Sequence, residues 1–276
     1  MKIFTTRQAI HQYLSAQGNA VIGFVPTMGA LHNGHLSLIT QAKAANDITV
    51  CSIFVNPTQF NDPKDLEKYP RPIKDDIEKL EAVGCDVLFN PPVSEIYDGN
   101  EQWHLDIGPL EQQLEGEFRP GHYQGVTQVV YKLLDIVKPA NLYMGQKDYQ
   151  QFLIVSRMVK LLNIPVNMVM CAIERDADGL AMSSRNIHLS ADDRRHALIL
   201  SKVLNRVKNE FDVNNIGQLQ DDAMRALAAE EGVVPEYFRI ANGETLVEAD
   251  ASSKTIVALT AARVGKTRLI DNVLIK

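Results

Sequence analysis

Cysteine is scarce in this chain. Cys51, Cys85 and Cys171 stand far apart and form no CxxC pair. That pattern excludes a disulfide framework and a thiolate zinc site, and it fits a reducing compartment. Long apolar runs are missing too: none approaches the ~18 residues of a membrane span. The opening "MKIFTTRQAIHQYL" lacks the apolar core of a secretory signal. Nor is there an excess of basic residues. The formal net charge is -6, which argues against a nucleic-acid partner. No internal repeat or low-complexity segment breaks the chain. These absences lead us to expect a soluble cytoplasmic protein, with no membrane among its partners. What is present is ample: 276 residues, 45% of them apolar, enough for a sizeable core in one large or two ordinary domains.

Apolar strand-like runs alternate with amphipathic stretches. "AVIGFVP", "ITVCSIFVNP", "CDVLFNPP", "NLYMGQ" and "PVNMVMCAI" read as strands. Between them, "LSLITQAKAAN", most of "DPKDLEKYPRPIKDDIEKLEAVG", "GVTQVVYKLLDIVKP" and "DYQQFLIVSRMVKLLN" read as helices. This alternation predicts an α/β fold, a Rossmann-like doubly wound parallel sheet covered on both faces. After "ERDADGLAMSSRN" the texture changes. A helical stretch from Ser190 to Glu231 precedes three strand-like runs, with "ANGET" as a hairpin turn. We therefore expect a first domain over residues 1–176 and a smaller α+β domain over 177–276.

In parallel sheets ligands gather at the carboxyl ends of strands, and Pro26, Asn56 and Gly145 lie at such ends. "PTMGALHNGHLSLI" places His32 and His35 where a strand hands over to a helix. A helix start carries unpaired N–H groups and partial positive charge, so it favours phosphate. Two imidazoles there can donate hydrogen bonds to charge developing during phosphoryl or adenylyl transfer. Gly34 between them allows a flat base close approach. Asn56 and Gln59 in "FVNPTQF" offer uncharged amides, Arg119 a planar fork, and Lys147 in "MGQKDYQQF" a point charge for phosphate. "GLAMSSRN" sets two hydroxyls beside a guanidinium, a set suited to polyphosphate. "ARVGKTRLIDN" has a P-loop-like ending but lacks the upstream glycine spacing and a following helix, so it is not one.

HxGH at a first strand–helix turn, with a later MSSR loop, resembles the HIGH/KMSKS nucleotidyltransferase superfamily. Further motifs narrow the match. "PTMGALHNGHLSLI", "FVNPTQF", "YPR", "RPGHYQGVTQVV", "GQKDYQQ", "DGLAMSSRN" and "ARVGKTRLIDN" run in the order of the pantothenate synthetase (pantoate–β-alanine ligase) family, from Val21 to Asn272. The resemblance implies activation of pantoate by ATP to pantoyl adenylate, then capture by β-alanine, with magnesium accompanying ATP and a homodimer as the assembly. It implies that Pro26, Thr27, Met28, Gly29, Ala30, Leu31, His32, Asn33, Gly34 and His35 line ATP, with His32 and His35 on its phosphates and His35 as proton donor. Gly145, Gln146, Lys147 and Asp148 would contact adenosine, with Lys147 reaching the phosphates. Glu174, Met182, Ser183, Ser184 and Arg185 would complete the ATP site. The catalytic set so implied is His32, His35, Lys147, Ser183, Ser184 and Arg185. Gln59 and Gln151 would hold pantoate, and Gln59 would also meet β-alanine. Met28, Asn56 and Arg119 would join that substrate site, with Tyr69 acting less directly. Asp75 and Asp76 would make a magnesium-side contact, and the second domain would act as a lid.

The chain departs from the family pattern at Asn33, Gln124 and Gln146, where acidic, arginine and glutamate residues are usual, and at Glu174, where an apolar residue is usual. Other readings stay open at this point: a different adenylyltransferase of the superfamily, or a non-catalytic nucleotide sensor.

Overall fold

The computed structural model describes residues 1–61 and 63–276. Contacts divide the chain into two compact units. One comprises residues 1–145 and 151–172, the other 146–150 and 173–276. The short segment Gln146–Gln150 packs with the second unit although flanked by the first.

The first unit contains β1 (Lys2–Phe4), α1 (Arg7–Ser15), β2 (Ile22–Thr27), α2 (Asn33–Ala45), β3 (Ile48–Ile53), α3 (Pro63–Lys68), α4 (Ile73–Ala82) and β4 (Val87–Phe89). It continues through α5 (Val93–Ile96), α6 (Glu115–Phe118), α7 (His122–Val137), β5 (Asn141–Gly145), α8 (Tyr149–Leu161) and β6 (Asn167–Cys171). All six strands pair in parallel, in the order β1-β4-β3-β2-β5-β6. The expected Rossmann-like sheet is therefore present. Successive strand residues point to opposite faces, and the two cores follow that alternation. Phe24, Val50, Phe89 and Leu142 join a core with Ile10 of α1, Val130 of α7 and Ile154 of α8. Their neighbours Val25, Cys51, Leu88 and Tyr143 join another with Ile39 of α2 and Leu80 of α4. Burial pushes all three thiols up, Cys85 and Cys171 to about 11, so they are inert.

Three local features differ from the sequence reading. β1 and α1 were not anticipated; β1 is three residues long, and α1 starts where the Thr6 hydroxyl accepts from the Ala9 N–H. The helical reading of residues 62–84 starts at Asp62, outside the described residues, and splits into α3 and α4 because Pro70 and Pro72 interrupt it. In the second unit, α9 (Ala191–Glu210) and α10 (Ile216–Ala229) pack on an antiparallel sheet of β7 (Val233–Asn242), β8 (Ile256–Val264) and β9 (Thr267–Leu274). "ANGET" turns the chain into a bridge between Ala241 and Glu248 and does not lead straight into β8. The tight hairpin is Gly265–Lys266 between β8 and β9, with Gly265 at φ 55°. That places the P-loop-like "VGKT" in a hairpin turn. No helix among the described residues is long and apolar enough to cross a membrane.

Candidate active site

Strand order reverses at β2, which lies between β3 and β5. Ligands of open α/β sheets bind outside the carboxyl ends of strands at such a point. Pro26 and Thr27 end β2 there. The Thr27 hydroxyl donates to the Ser52 carbonyl at 2.7 Å and accepts from the Gly29 N–H at 3.2 Å. Gly29 and Ala30 then both turn left-handed, at φ 81° and 51°. For Ala30 that conformation costs energy unless its surroundings hold it.

Helix α4 supplies the hold. Asp76 is only 1% exposed. Its carboxylate accepts from the Ala30 N–H at 2.9 Å and the Leu31 N–H at 2.7 Å. One helical turn on, the Lys79 ammonium donates to the Leu31 carbonyl at 2.8 Å. The Asp76 carboxylate is therefore a buried clamp on the Gly29–Leu31 turn. Asp75 beside it is exposed.

His32 caps α2 in an extended conformation, and no acidic residue occupies the helix's first turn. The positive end of the helix is thus left for an anion. The His32 N–H points at His35 Nδ1 at 3.5 Å, and the two rings lie 4.0 Å apart. Both histidines and Gly34 are half-buried, while Asn33 is exposed.

The turn after β3 forms a second wall. Asn56, 1% exposed, has its amide fully engaged. Its Oδ1 accepts from the Tyr97 hydroxyl at 2.8 Å and from Thr58. Its Nδ2 donates to the Gly125 carbonyl and to Gln59 Oε1, both at 3.1 Å. This fixes the Gln59 amide with Nε2 outward, where it reaches Met28 Sδ at 3.2 Å. Burial pushes the Tyr97 phenol up to about 12, so it stays a donor across the working pH range. Gly125 permits the approach of α7, since a Cβ there would lie 2.4 Å from the Thr58 carbonyl. The Gln59 carbonyl accepts from His122 Nδ1 at 2.9 Å and from Arg119 at 3.5 Å. Tyr69 packs edge-on against Phe60.

The first unit thus brings together Met28, Asn56, Gln59 and Arg119. Asn56 acts within it as a support for Gln59, with its own polar atoms used up. Gln151 sits half-buried in the first turn of α8. Tyr97, Lys79 and His122 were missed as site residues. His122 lies inside "GEFRPGHYQGV", and a histidine beside Arg119 was the available signal. Gln124 bonds both backbone groups of Leu105 and the Glu111 carboxylate.

In the second unit, Gln146, Lys147 and Asp148 form one turn of 3-10 helix. Lys147 and Ser183 line a common small cavity with Ala181 and Asp271. Residues 174–182 fold back through Gly179 at φ 95°, bridged at Arg175 and Ala181. The Met182 N–H donates to the Glu174 carbonyl at 3.0 Å, and the Glu174 side chain is exposed. Ser183 caps the short helix Ser184–His188.

A family model described as pantoate–β-alanine ligase matches residues 2–274. The chain belongs to that family. It is 44% identical over 263 residues to the pantothenate synthetase of Roseiflexus castenholzii, covering 94% of each chain. It is 41% identical to that of Acetivibrio thermocellus over the full length of both. The crystal structure of the Thermus thermophilus pantothenate synthetase matches with a TM-score of 0.93 at 38% identity, covering 100% of this chain and 99% of that one. A Francisella tularensis pantoate–β-alanine ligase, solved with a β,γ-ATP ligand and β-alanine, matches at TM-score 0.83 and 38% identity, covering 100% and 98%. As a member of the pantoate–β-alanine ligase family, the chain is an enzyme that joins pantoate to β-alanine at the expense of ATP.

Proposed function

We propose that the ligation runs through pantoyl adenylate. A pantoate carboxylate oxygen forms a bond to the α-phosphorus of ATP as the bond to pyrophosphate breaks, and pyrophosphate leaves with the electron pair. The β-alanine amine, as free base, then bonds to the activated carbonyl carbon. It loses a proton as AMP departs with the C–O electron pair. A carboxylate is a poor acyl donor and an acyl phosphate a good one, so the protein needs charge stabilisation more than a nucleophile.

The observation that carries this reading is the turn Met28–His35. Its helix start is free of acidic side chains, and the His32 and His35 rings lie 4.0 Å apart there. In this reading Pro26–His35 line ATP, with His32 and His35 donating to its phosphates. Gln59, aimed by Asn56, donates to pantoate, with Gln151, Met28 and Arg119 completing that pocket. Gly145–Asp148, Glu174 and Met182–Arg185 serve the nucleotide, and Lys147 meets phosphate as a point charge. The first unit thereby carries the Pro26–His35 turn and the pantoate pocket, and the second contributes Lys147, Glu174 and the MSSR segment and acts as a lid.

The donor set fits a magnesium carried mainly by ATP phosphates and water. Asp76 is occupied, Asp75 is the exposed carboxylate left, and no cluster of three metal-binding side chains occurs among the described residues. Magnesium, when bound with ATP, supplies charge neutralisation at the phosphates. The family resemblance supports a homodimer. Sedimentation at assay concentration checks it, and a monomer-sized species would remove it.

The test withholds β-alanine. Enzyme with ATP, magnesium and pantoate is expected to release pyrophosphate and retain an adenylate. Pyrophosphate that appears only when β-alanine is present would overturn the adenylate step.

A further inference from the structure

The motif "ARVGKTRLIDN" lies outside the residues that the proposed reaction uses. Its first half is the β8–β9 hairpin, and its end lies in β9 with Asp271 4% and Asn272 2% exposed. Adjacent strand residues face opposite ways, so two neighbouring side chains can serve two different segments.

Asp271 takes the segment leading to Ser183–Arg185. Its Oδ2 accepts from Arg175 Nη1 at 2.7 Å and its Oδ1 from Nη2 at 2.9 Å, a bidentate pair. Arg175 also donates to the Gly179 carbonyl at 3.2 Å. The fork thereby fixes both the base and the turn of the loop that delivers Met182–Arg185.

Asn272 takes the segment carrying Lys147. Its Nδ2 donates to the carbonyls of Gln146 at 3.0 Å and Lys147 at 2.9 Å, and its Oδ1 accepts from Gln146 Nε2 at 3.1 Å. Both donor hydrogens and the acceptor of the amide are engaged. No other residue type of this size offers two donors and one acceptor in that arrangement. Gln146, uncharged here, fits because its amide can donate to Asn272 Oδ1, which a carboxylate at this position could not do.

We infer that Asp271 and Asn272 are positioning residues that tie the Lys147 turn and the Arg175–Ala181 loop to one strand. The chemical consequence is pre-organisation: the lysine and the Ser–Ser–Arg segment reach the nucleotide from anchored backbone. The inference rests on the reading that Lys147 and Ser183–Arg185 meet the ATP phosphates.

A double-mutant cycle tests it, with steady-state kinetics for ATP and pantoate and a thermal melt of each variant. Asn272→Ala is expected to raise the KM for ATP about tenfold while the KM for pantoate stays within about twofold. In a Lys147→Met background the same change should add less than about twofold, because it acts through the lysine it positions. Asp271→Asn is cycled in the same way against Ser183→Ala. Where Asn272→Ala does not fold, Asn272→Ser and Gln146→Met remove fewer bonds and serve the same cycle. A full tenfold loss in both backgrounds, or an unchanged KM for ATP in folded Asn272→Ala, would overturn the inference alone. A Lys147→Met enzyme with wild-type ATP kinetics would overturn the phosphate reading and the inference with it.

Discussion

Replacing Asp76 by alanine removes the acceptor for two backbone N–H groups, at 2.9 and 2.7 Å, from a turn in which Ala30 holds φ 51°. Hydrogen bonds to a charged group contribute roughly 1.5–3 kcal/mol each. Part of that is returned because a buried carboxylate no longer has to be desolvated. We expect a net loss of about 3 kcal/mol, a drop in Tm of roughly 6–12 °C for a domain of this size. Function should suffer in a specific way: the KM for ATP rises on the order of tenfold while that for pantoate holds, since the Gln59 wall is untouched. Asp76→Asn retains one acceptor and should lose about half as much. Differential scanning calorimetry and initial rates at several magnesium concentrations give both readouts. An Asp76→Ala protein with unchanged Tm and unchanged ATP kinetics would refute the clamp. A shifted magnesium dependence at unchanged Tm would reassign Asp76 to the metal.

Three other substitutions probe the same geometry. Tyr97→Phe removes the 2.8 Å donor to Asn56 and so one of the bonds that hold the Asn56–Gln59 pair; the KM for pantoate should rise about fivefold with that for ATP unchanged, a loss of one hydrogen bond. Because burial holds the Tyr97 phenol at about 12, the wild-type pantoate KM should show no Tyr97 titration up to pH 10. Gly125→Ala drives a methyl toward the Thr58 carbonyl, 2.4 Å away, and is expected to cost about 1–3 kcal/mol in a denaturant melt as well as pantoate affinity. Asp75→Asn should leave Tm within about 1 °C, as for other exposed changes, while raising the magnesium concentration needed for half-maximal rate.

The sheet was legible because β2 to β6 are short apolar runs separated by helical patterns, and their alternating residues feed two separate cores. β1 offered only three residues, too few to carry a period. The site was legible where its chemistry is local. HxGH, the strand end at Asn56 and the Lys147 turn each declare themselves within a few residues. Long-range contacts hid the rest. Asp76 lies 45 residues from the Leu31 N–H it holds, and beside Asp75 at a helix start it reads as a solvated acid. Tyr97 reaches Asn56 across 41 positions, and Asn272 reaches Lys147 across 125. Each hidden residue supports a backbone turn or another side chain, and such roles leave no pattern in adjacent residues.

The fate of the pantoate carboxylate oxygen distinguishes attack at the α-phosphorus from attack elsewhere on ATP. Turnover of carboxylate-labelled ¹⁸O-pantoate with ATP and β-alanine, followed by mass spectrometry of the nucleotide product, reads this out. Attack on the α-phosphorus predicts one ¹⁸O in the phosphate of AMP and none in pyrophosphate. Label in inorganic phosphate, with ADP as the nucleotide, would place the attack at the γ-phosphorus and contradict the adenylate chemistry argued from the Met28–His35 turn.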